Sequence, residues 1–348
     1  MDETSTPLVV DLDGTLTQSD LLYETFMGLL RKNLLYILWV PFWVLAGKTR
    51  LKDEIAQRVD LDPSTLPYQQ PLVDFLKQQK AQGRQLILAT ASHIKFAQII
   101  ADHFGLFDAV LATDINTNLG GTAKRQELIR RYGEKGFDYA GNSMADMKVW
   151  PSARAAILVN PERGVEQAAR TNFTVSHCFE DTAISKRSLI PLLHPHQWLK
   201  DLLIFLPLLL VWADLTTDSF APLIATFISF ALVTSAIYLL NELTSLPQHR
   251  QHSHRKERPF ACGSVLIRSG IVLMALLIFI GLSIALFIPA ESLALLVAYA
   301  VIKLLYLFYI RGMFFINLSV ALALIGIRIV AGIAAVSATP SLWNLLIS

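Results

Sequence analysis

Val9-Val10-Asp11-Leu12-Asp13-Gly14-Thr15-Leu16-Thr17 stands near the start of a chain of 348 residues. In it an apolar run delivers two aspartates, at i and i+2, onto a glycine turn. Side chains at i and i+2 leave a strand on one face, so the two carboxylates meet over one site at the strand's end. Gly14 lets the backbone turn sharply. Such a pair suits phosphoryl transfer: one carboxylate attacks phosphorus and the other moves the proton. That much negative charge needs a cation to hold it together. A strand followed by a plain acidic turn has the same residues, so the assignment depends on the rest of the chain.

Three further elements come in order. Gln85–Ala89 reads as a strand feeding Thr90-Ala91-Ser92, where a hydroxyl can reach a phosphoryl oxygen. Thr122-Ala123-Lys124 opens a helix that ends near Tyr132-Gly133. The stretch Phe137-Asp138-Tyr139-Ala140-Gly141-Asn142-Ser143-Met144-Ala145-Asp146 follows, its polar part coming after a strand. The first stretch resembles the opening motif of haloacid dehalogenase-like (HAD) phosphatases, DxDGTLT, and the later three resemble the rest of that signature. The resemblance implies Asp11 as nucleophile and Asp13 as acid and base. It implies Thr90, with Ser92 as the alternative on the same turn, at the phosphoryl group, and Lys124 as the neutralising cation. It implies magnesium on Asp11, the Asp13 backbone carbonyl and Asp146. Asn142 replaces the usual first aspartate of the fourth motif, GDxxxD, and its amide oxygen would touch the metal with one charge fewer.

Strands alternating with helices predict a parallel sheet covered on both faces, with its site at the strands' carboxyl ends. Further helices are expected at Leu21–Leu30, Leu34–Ala46, Leu51–Val59 and Phe96–Phe104, and further strands at Phe107–Leu111, Ala155–Asn160 and Phe173–Val175. In HAD enzymes an insertion such as residues 18–82 forms a small helical cap. Leu34–Ala46 is uncharged, rich in aromatics and flanked by Arg31, Lys32, Lys48, Arg50 and Lys52. Its 13 residues are too few to cross a bilayer. Two readings stay open: a segment lying in a membrane interface, or a buried cap helix kinked at Pro41.

Hydrophobic residues make up 53% of the chain, more than an ordinary soluble protein carries, and the charged ones concentrate before residue 190. The organisation expected is an α/β HAD-like domain over 1–185, then an all-α transmembrane domain over 194–348. The net charge of +2 does not suggest nucleic acid. The two cysteines, Cys178 and Cys262, suggest neither a disulfide framework nor a zinc site. There is no repeat, low-complexity tract or cleavable signal peptide. Spans are expected at Leu199–Ala213, Phe220–Leu240, Val265–Phe287, Leu293–Ile310 and Met313–Val336, with a sixth beginning at Leu342. Arg250, Arg255, Lys256 and Arg258 fill one loop, whereas Asp214, Asp218 and Glu291 lie on the other side. The positive-inside rule then puts that loop and the amino-terminal domain in the cytoplasm, which suits a bacterial inner membrane.

That loop, Asn241 to Gly263, resembles the first polar motif of UbiA-family membrane prenyltransferases, NDxxDxxxDxxHxxKxxRPxxxG. The branch acting on polyprenyl phosphate and phosphoribosyl diphosphate is the more similar, also through His196–Lys200 and through Gly326, Arg328, Ala331 and Gly332. The resemblance implies a phosphate grip by Asn241, Glu242, His249, Arg255, Arg258 and Arg328. The motif's three aspartates appear here as Glu242, Ser245 and His249, and Ser and His do not replace hard anionic ligands of magnesium. The family's second acidic loop would come after a sixth span, so the expectation is a fragment or a truncated gene. Lys303 and Arg328 lie within spans, where charges face a cavity or a partner. Together these motifs point to a membrane-bound, magnesium-dependent phosphatase acting on a lipid-linked or polyprenyl-pathway phosphomonoester. Its alternatives are a prenyl or phosphoribosyl transferase with an ancillary HAD half, and a non-catalytic membrane anchor or assembly partner. The sequence leaves the oligomeric state open.

Overall fold

The computed structural model describes residues 5–180, 190–209, 217–310 and 314–337. It divides into two units, Met1–Arg187 with Ser245–Ile267, and Ser188–Thr244 with Arg268–Ser348. The first unit is therefore assembled from two separate stretches of chain.

Its centre is a sheet of six strands: β1 Leu8–Val10, β2 Leu86–His93, β3 Ala109–Thr113, β4 Asp138–Gly141, β5 Ala156–Val159 and β6 Val175–Phe179. The order is β3-β2-β1-β4-β5-β6, and every pair is parallel. Parallel neighbours need crossovers, which α1 Leu21–Lys32, α2 Val40–Leu45, α3 Lys48–Arg58, α4 Gln70–Ala81, α5 Ile94–Phe104, α6 Gly121–Tyr132 and α7 Val165–Asn172 help to supply. The strands are apolar on both faces because helices cover both. Leu8 and Val10 pack with Leu72, Leu76, Leu86 and Leu88, while Val9 points the other way, to Ile87, Leu128 and Tyr139. β1 lies centrally: Val9 aligns with Ile87 on one side and Tyr139 on the other.

Four local expectations need correcting. β2 runs on to His93, with a register irregularity against β3 between Ala89 and His93. Thr90 and Ser92 thus lie within a strand, two apart on one face, rather than on a turn. The single helix expected over Leu34–Ala46 is a 3₁₀ helix, Leu34–Leu38, followed by α2. Pro41 lacks an amide donor and sits in the first turn of α2, where none is needed. No helix was expected at α4, yet its Pro71 lies in the first turn and Leu72, Val73 and Leu76 are buried. The strands β3 and β6 begin two residues later than their patterns suggest.

In the second unit, α8 Trp198–Asp201 leads into a 3₁₀ helix, Leu202–Leu209, containing Pro207. The span expected from Leu199 is therefore not a regular helix here; residues 210–213, Asp214, the side chain of Asp218 and the segment from Leu342 lie outside the described residues. After α9 Thr217–Thr244 the chain makes α10 Leu246–Gln251 in the first unit, then α11 Ile267–Ala285, α12 Ala290–Leu305 and α13 Phe314–Ser337. Among the described residues four helical stretches are long and apolar enough to cross a membrane: Phe220–Thr244, Ile267–Ala285, Ala290–Ile310 and Phe315–Val336. The chain is an integral membrane protein. Gly332 lets α13 approach the 3₁₀ segment closely, since a Cβ there would lie 2.9 Å from the carbonyl carbon of Ile204.

At the amino-terminal edge of the sheet, Asp138 opens β4 and pairs with the buried Arg84. Arg154 grips the same carboxylate at 2.9 and 2.6 Å, and Arg84 also donates to the Thr6 carbonyl and to Gln79, both at 2.8 Å. Removing one partner of a buried pair strands the other charge, typically a loss of about 3–5 kcal/mol. Asp138→Asn should lower stability by that amount, read as an earlier urea midpoint for loss of protease resistance in the first unit. An unchanged midpoint would mean the carboxylate is dispensable.

Candidate active site

Asp11 follows β1 directly, and its amide still donates to the Ala140 carbonyl of β4, at 3.0 Å. The turn closes when the amides of Leu16 and Thr17 donate to the carbonyls of Asp11 and Leu12, at 3.2 and 3.0 Å. Gly14 has φ +76°, and a Cβ there would come within 3.0 Å of Asn142 Cγ and closer still to its amide nitrogen. Glycine is thus required twice, for the backbone and for the approach of the β4 loop.

Lys124 enters from the first turn of α6. Its Nζ donates to Asp11 Oδ1 at 2.7 Å and to the Tyr139 hydroxyl at 2.9 Å. That hydroxyl donates to Asp146 Oδ1 at 2.7 Å. The other oxygen of Asp146 accepts from the amides of Asn142 (3.1 Å) and Ser143 (2.9 Å) and from the Ser143 hydroxyl (2.8 Å). Asp11, Lys124, Tyr139 and Asp146 form one buried polar chain. Asp13 stands beside it, accepting from the amide of Leu21 at 2.8 Å, Thr90 Oγ1 at 3.0 Å and Ser92 Oγ at 2.7 Å. Thr90 and Ser92, expected at a phosphoryl oxygen, both hold Asp13.

Burial, together with the charges of Asp146 and Asp13, pushes Asp11 up to about 7 although Lys124 opposes the shift. Burial would lower Lys124, but Asp11, Asp146 and Asp13 outweigh it and its pKa is raised. Burial is the main cause of the rise at Asp11, and the neighbouring carboxylates are the main cause of the rise at Lys124. The groups expected around a metal all offer oxygen: the Asp11 carboxylate, the Asp13 carbonyl, the Asn142 amide oxygen, which also accepts from Thr15 at 3.3 Å, and Asp146. Hard oxygen ligands are the kind that a small divalent cation such as magnesium takes.

Two residues of this site escaped the sequence reading. Tyr139 lies inside an apolar strand, and only its register beside Val9 puts it below Asp11. Lys52, expected only as a basic flank, donates to the Ala91 carbonyl at 2.6 Å, between the two residues that hold Asp13. Burial lowers its pKa against the pull of Asp13 and Asp20.

The six residues proposed to grip phosphate are distributed between the units. His249, Arg255 and Arg258 fall in the first; Asn241, Glu242 and Arg328 fall in the second. Arg255 and Arg258 are exposed, and His249 is buried. Glu242 pairs with His194 at 3.1 Å. Arg328 donates to Asp201 at 2.7 Å, Tyr299 at 2.8 Å and the Leu324 carbonyl at 3.0 Å. Three of its five N–H donors are thus engaged within the unit. Lys303 donates to Tyr238 at 3.2 Å. Arg250, read only as part of the basic loop, forms a buried ion pair with Glu24 of α1 at 2.6 Å and donates to the Thr65 carbonyl at 3.3 Å.

Sheet, turn and acid–lysine cluster define a hydrolase domain of the haloacid dehalogenase-like class, and residues 8–149 match that family's model. Residues 202–348 match the model of the UbiA prenyltransferase family, so the chain joins a HAD-like hydrolase domain to a UbiA-family domain. It is similar to the uncharacterized protein y4nM of Sinorhizobium fredii, 31% identical over 94% of this chain and 63% of that one. It is also similar to decaprenyl-phosphate phosphoribosyltransferase of Mycolicibacterium smegmatis, 29% identical over 46% of this chain and 51% of that one. A substrate-bound phosphoserine phosphatase structure aligns with TM-score 0.36 and 13% identity, covering 56% of this chain and 99% of that one. The chain spans about half to two thirds of the length of these curated relatives.

Gly14→Ala should lower the stability of the first unit by about 1–2 kcal/mol through its positive φ alone, and further by displacing Asn142. Adding Asn142→Ala should recover the second part but not the first. Strictly additive urea midpoints for the two substitutions would show that Gly14 and Asn142 do not meet.

Proposed function

We propose that this chain is a membrane-bound, magnesium-dependent phosphatase that hydrolyses a lipid-linked phosphomonoester, with its HAD domain on the cytoplasmic side. The observation that carries the reading is Asp11, held by Lys124 through one oxygen, with Asp13 fixed beside it by three donors. Asp11 attacks phosphorus through its other oxygen, and the bond to the leaving oxygen breaks as Asp13 gives that oxygen a proton. Asp13 then takes a proton from the water that attacks the aspartyl-phosphate, releasing phosphate and restoring Asp11. Lys124 offsets charge on Asp11 and the phosphoryl group, and Tyr139 keeps Lys124 and Asp146 in register. Bound magnesium would be held by Asp11, the Asp13 carbonyl, Asn142 and Asp146, and would supply further neutralisation of the phosphoryl oxygens.

The lipid character of the substrate is supported by the UbiA-family half and by a relative that is a decaprenyl-phosphate phosphoribosyltransferase. Transfer by this chain itself is the second reading, favoured by that family match alone. Against it, Glu242 is engaged with His194, and Ser245 and His249 stand where anionic ligands would be needed. Radiolabel transfer from phosphoribosyl diphosphate to a polyprenyl phosphate in proteoliposomes would establish it.

In the full chain, Asp11→Asn should reduce magnesium-dependent hydrolysis of p-nitrophenyl phosphate by at least about 10³-fold at almost unchanged volume. Turnover persisting in the folded variant would refute the assignment. Tyr139→Phe removes only a hydroxyl that positions two charged groups, so kcat should fall about 10–100-fold with a raised magnesium requirement. A loss of thermal stability with normal kcat would instead make Tyr139 a packing residue.

A further inference from the structure

The run Leu34–Ala46 plays no part in the hydrolase site. It is two-faced. Tyr36 and Trp43 turn inward against the core, where the Arg58 guanidinium lies over both rings, 5.9 and 5.2 Å from their centroids. Leu35, Leu38, Trp39, Phe42 and Leu45 turn outward, and each is between 59 and 85% exposed. A buried cap helix is thereby excluded. The anchored rings make the outer face part of a packed element, and so many large apolar groups in so short a run form a patch that calls for a partner.

Charge identifies that partner. Between Glu24 and Asp53 the sequence has no acid. Lys52 is turned towards the site, whereas Lys32, Lys48 and Arg50 are exposed at the two ends of the patch, Lys32 paired with Asp60 at 2.9 Å and Arg50 with Glu54. Aromatic and aliphatic groups framed by cations match the boundary between acyl chains and anionic headgroups. The same chain carries four helices of span length, so a bilayer is always at high effective concentration.

We propose that the outward face of Leu34–Ala46 docks in the interfacial layer of a bilayer containing anionic lipid, at the depth of about 5–10 Å usual for such elements. The docked segment is part of the region expected to form the cap, and it leads directly into α3, whose Lys52 reaches Ala91 beside Asp13. If the chain hydrolyses a lipid phosphomonoester, a point that rests on the preceding reading, docking brings that headgroup to the site without release from the membrane.

The test uses the full chain with Cys178→Ser and Cys262→Ser, in vesicles of phosphatidylcholine and phosphatidylglycerol. Nitroxide labels go on Leu38→Cys, Phe42→Cys and, as an aqueous reference on α6, Arg130→Cys. All three positions are exposed. Labels at 38 and 42 should be relaxed more by oxygen than by a nickel chelate, with the reverse at 130. Preference for the nickel chelate at 38 and 42 would overturn the proposal, and so would protection from both reagents, which would mean that protein, such as a second copy, covers the face. In vesicles of phosphatidylcholine alone the oxygen preference should weaken; equal values would overturn the anionic requirement. None of these readings depends on turnover, so failure of docking and failure of the phosphatase reading are seen separately.

Discussion

Lys124 is an ammonium almost without water, and the first unit is arranged to keep it charged. Withdrawing such a group from solvent is worth several kcal/mol against folding unless anions and acceptors stand close. Asp11 supplies the anion and Tyr139 the acceptor. Each depends on register: Asp11 is one residue beyond the central strand, and Tyr139 is on the neighbouring strand beside Val9. Helix α6 brings the lysine in from its first turn. Slipping either strand by one residue would turn Asp11 or Tyr139 to the opposite face and leave the lysine unpaired. The need to pair the buried lysine thus makes the sheet's register unambiguous.

Local features were the ones legible in the sequence. Two aspartates at i and i+2 before a glycine stand out by spacing, and the resemblance to the HAD signature singles out the lysine at a helix start and the aspartate after a short strand. The four span-length helices arise from uninterrupted apolar runs. Features set by distance along the chain escaped. Arg250 meets Glu24 across 226 residues, and Arg328 meets Asp201 across 127. Nothing near either arginine foretells its partner. Tyr139 and Lys52 escaped for a related reason, since one looks like core and the other like a solvated flank until the strands and α3 are in place. The turn expected at Thr90–Ser92 is strand, since β2 runs on through a register irregularity, and both hydroxyls bond to Asp13.

The second unit treats its charges differently from the first. Arg328 joins Asp201 and Tyr299 beside an apolar cluster, and Glu242 takes His194. Charges within a spanning region either face a cavity or find a partner; here the partners are found inside the protein. Polar groups that resemble a phosphate grip in sequence are thereby drawn into fixing the positions of α12, α13 and the segment before α9.

The pairing of Arg250 with Glu24 bears on inheritance. The hydrolase unit is discontinuous, since Ser245–Ile267, encoded far downstream, completes its surface and contributes a guanidinium to a buried pair with the first helix. A recombination event that exchanged only the first 187 codons would bring in a helix with no reason to carry an acid at that position, and would strand Arg250. The converse exchange would strand Glu24. The two stretches are therefore not physically independent modules, since a change at residue 24 in one leaves the buried charge of Arg250 in the other without its acid.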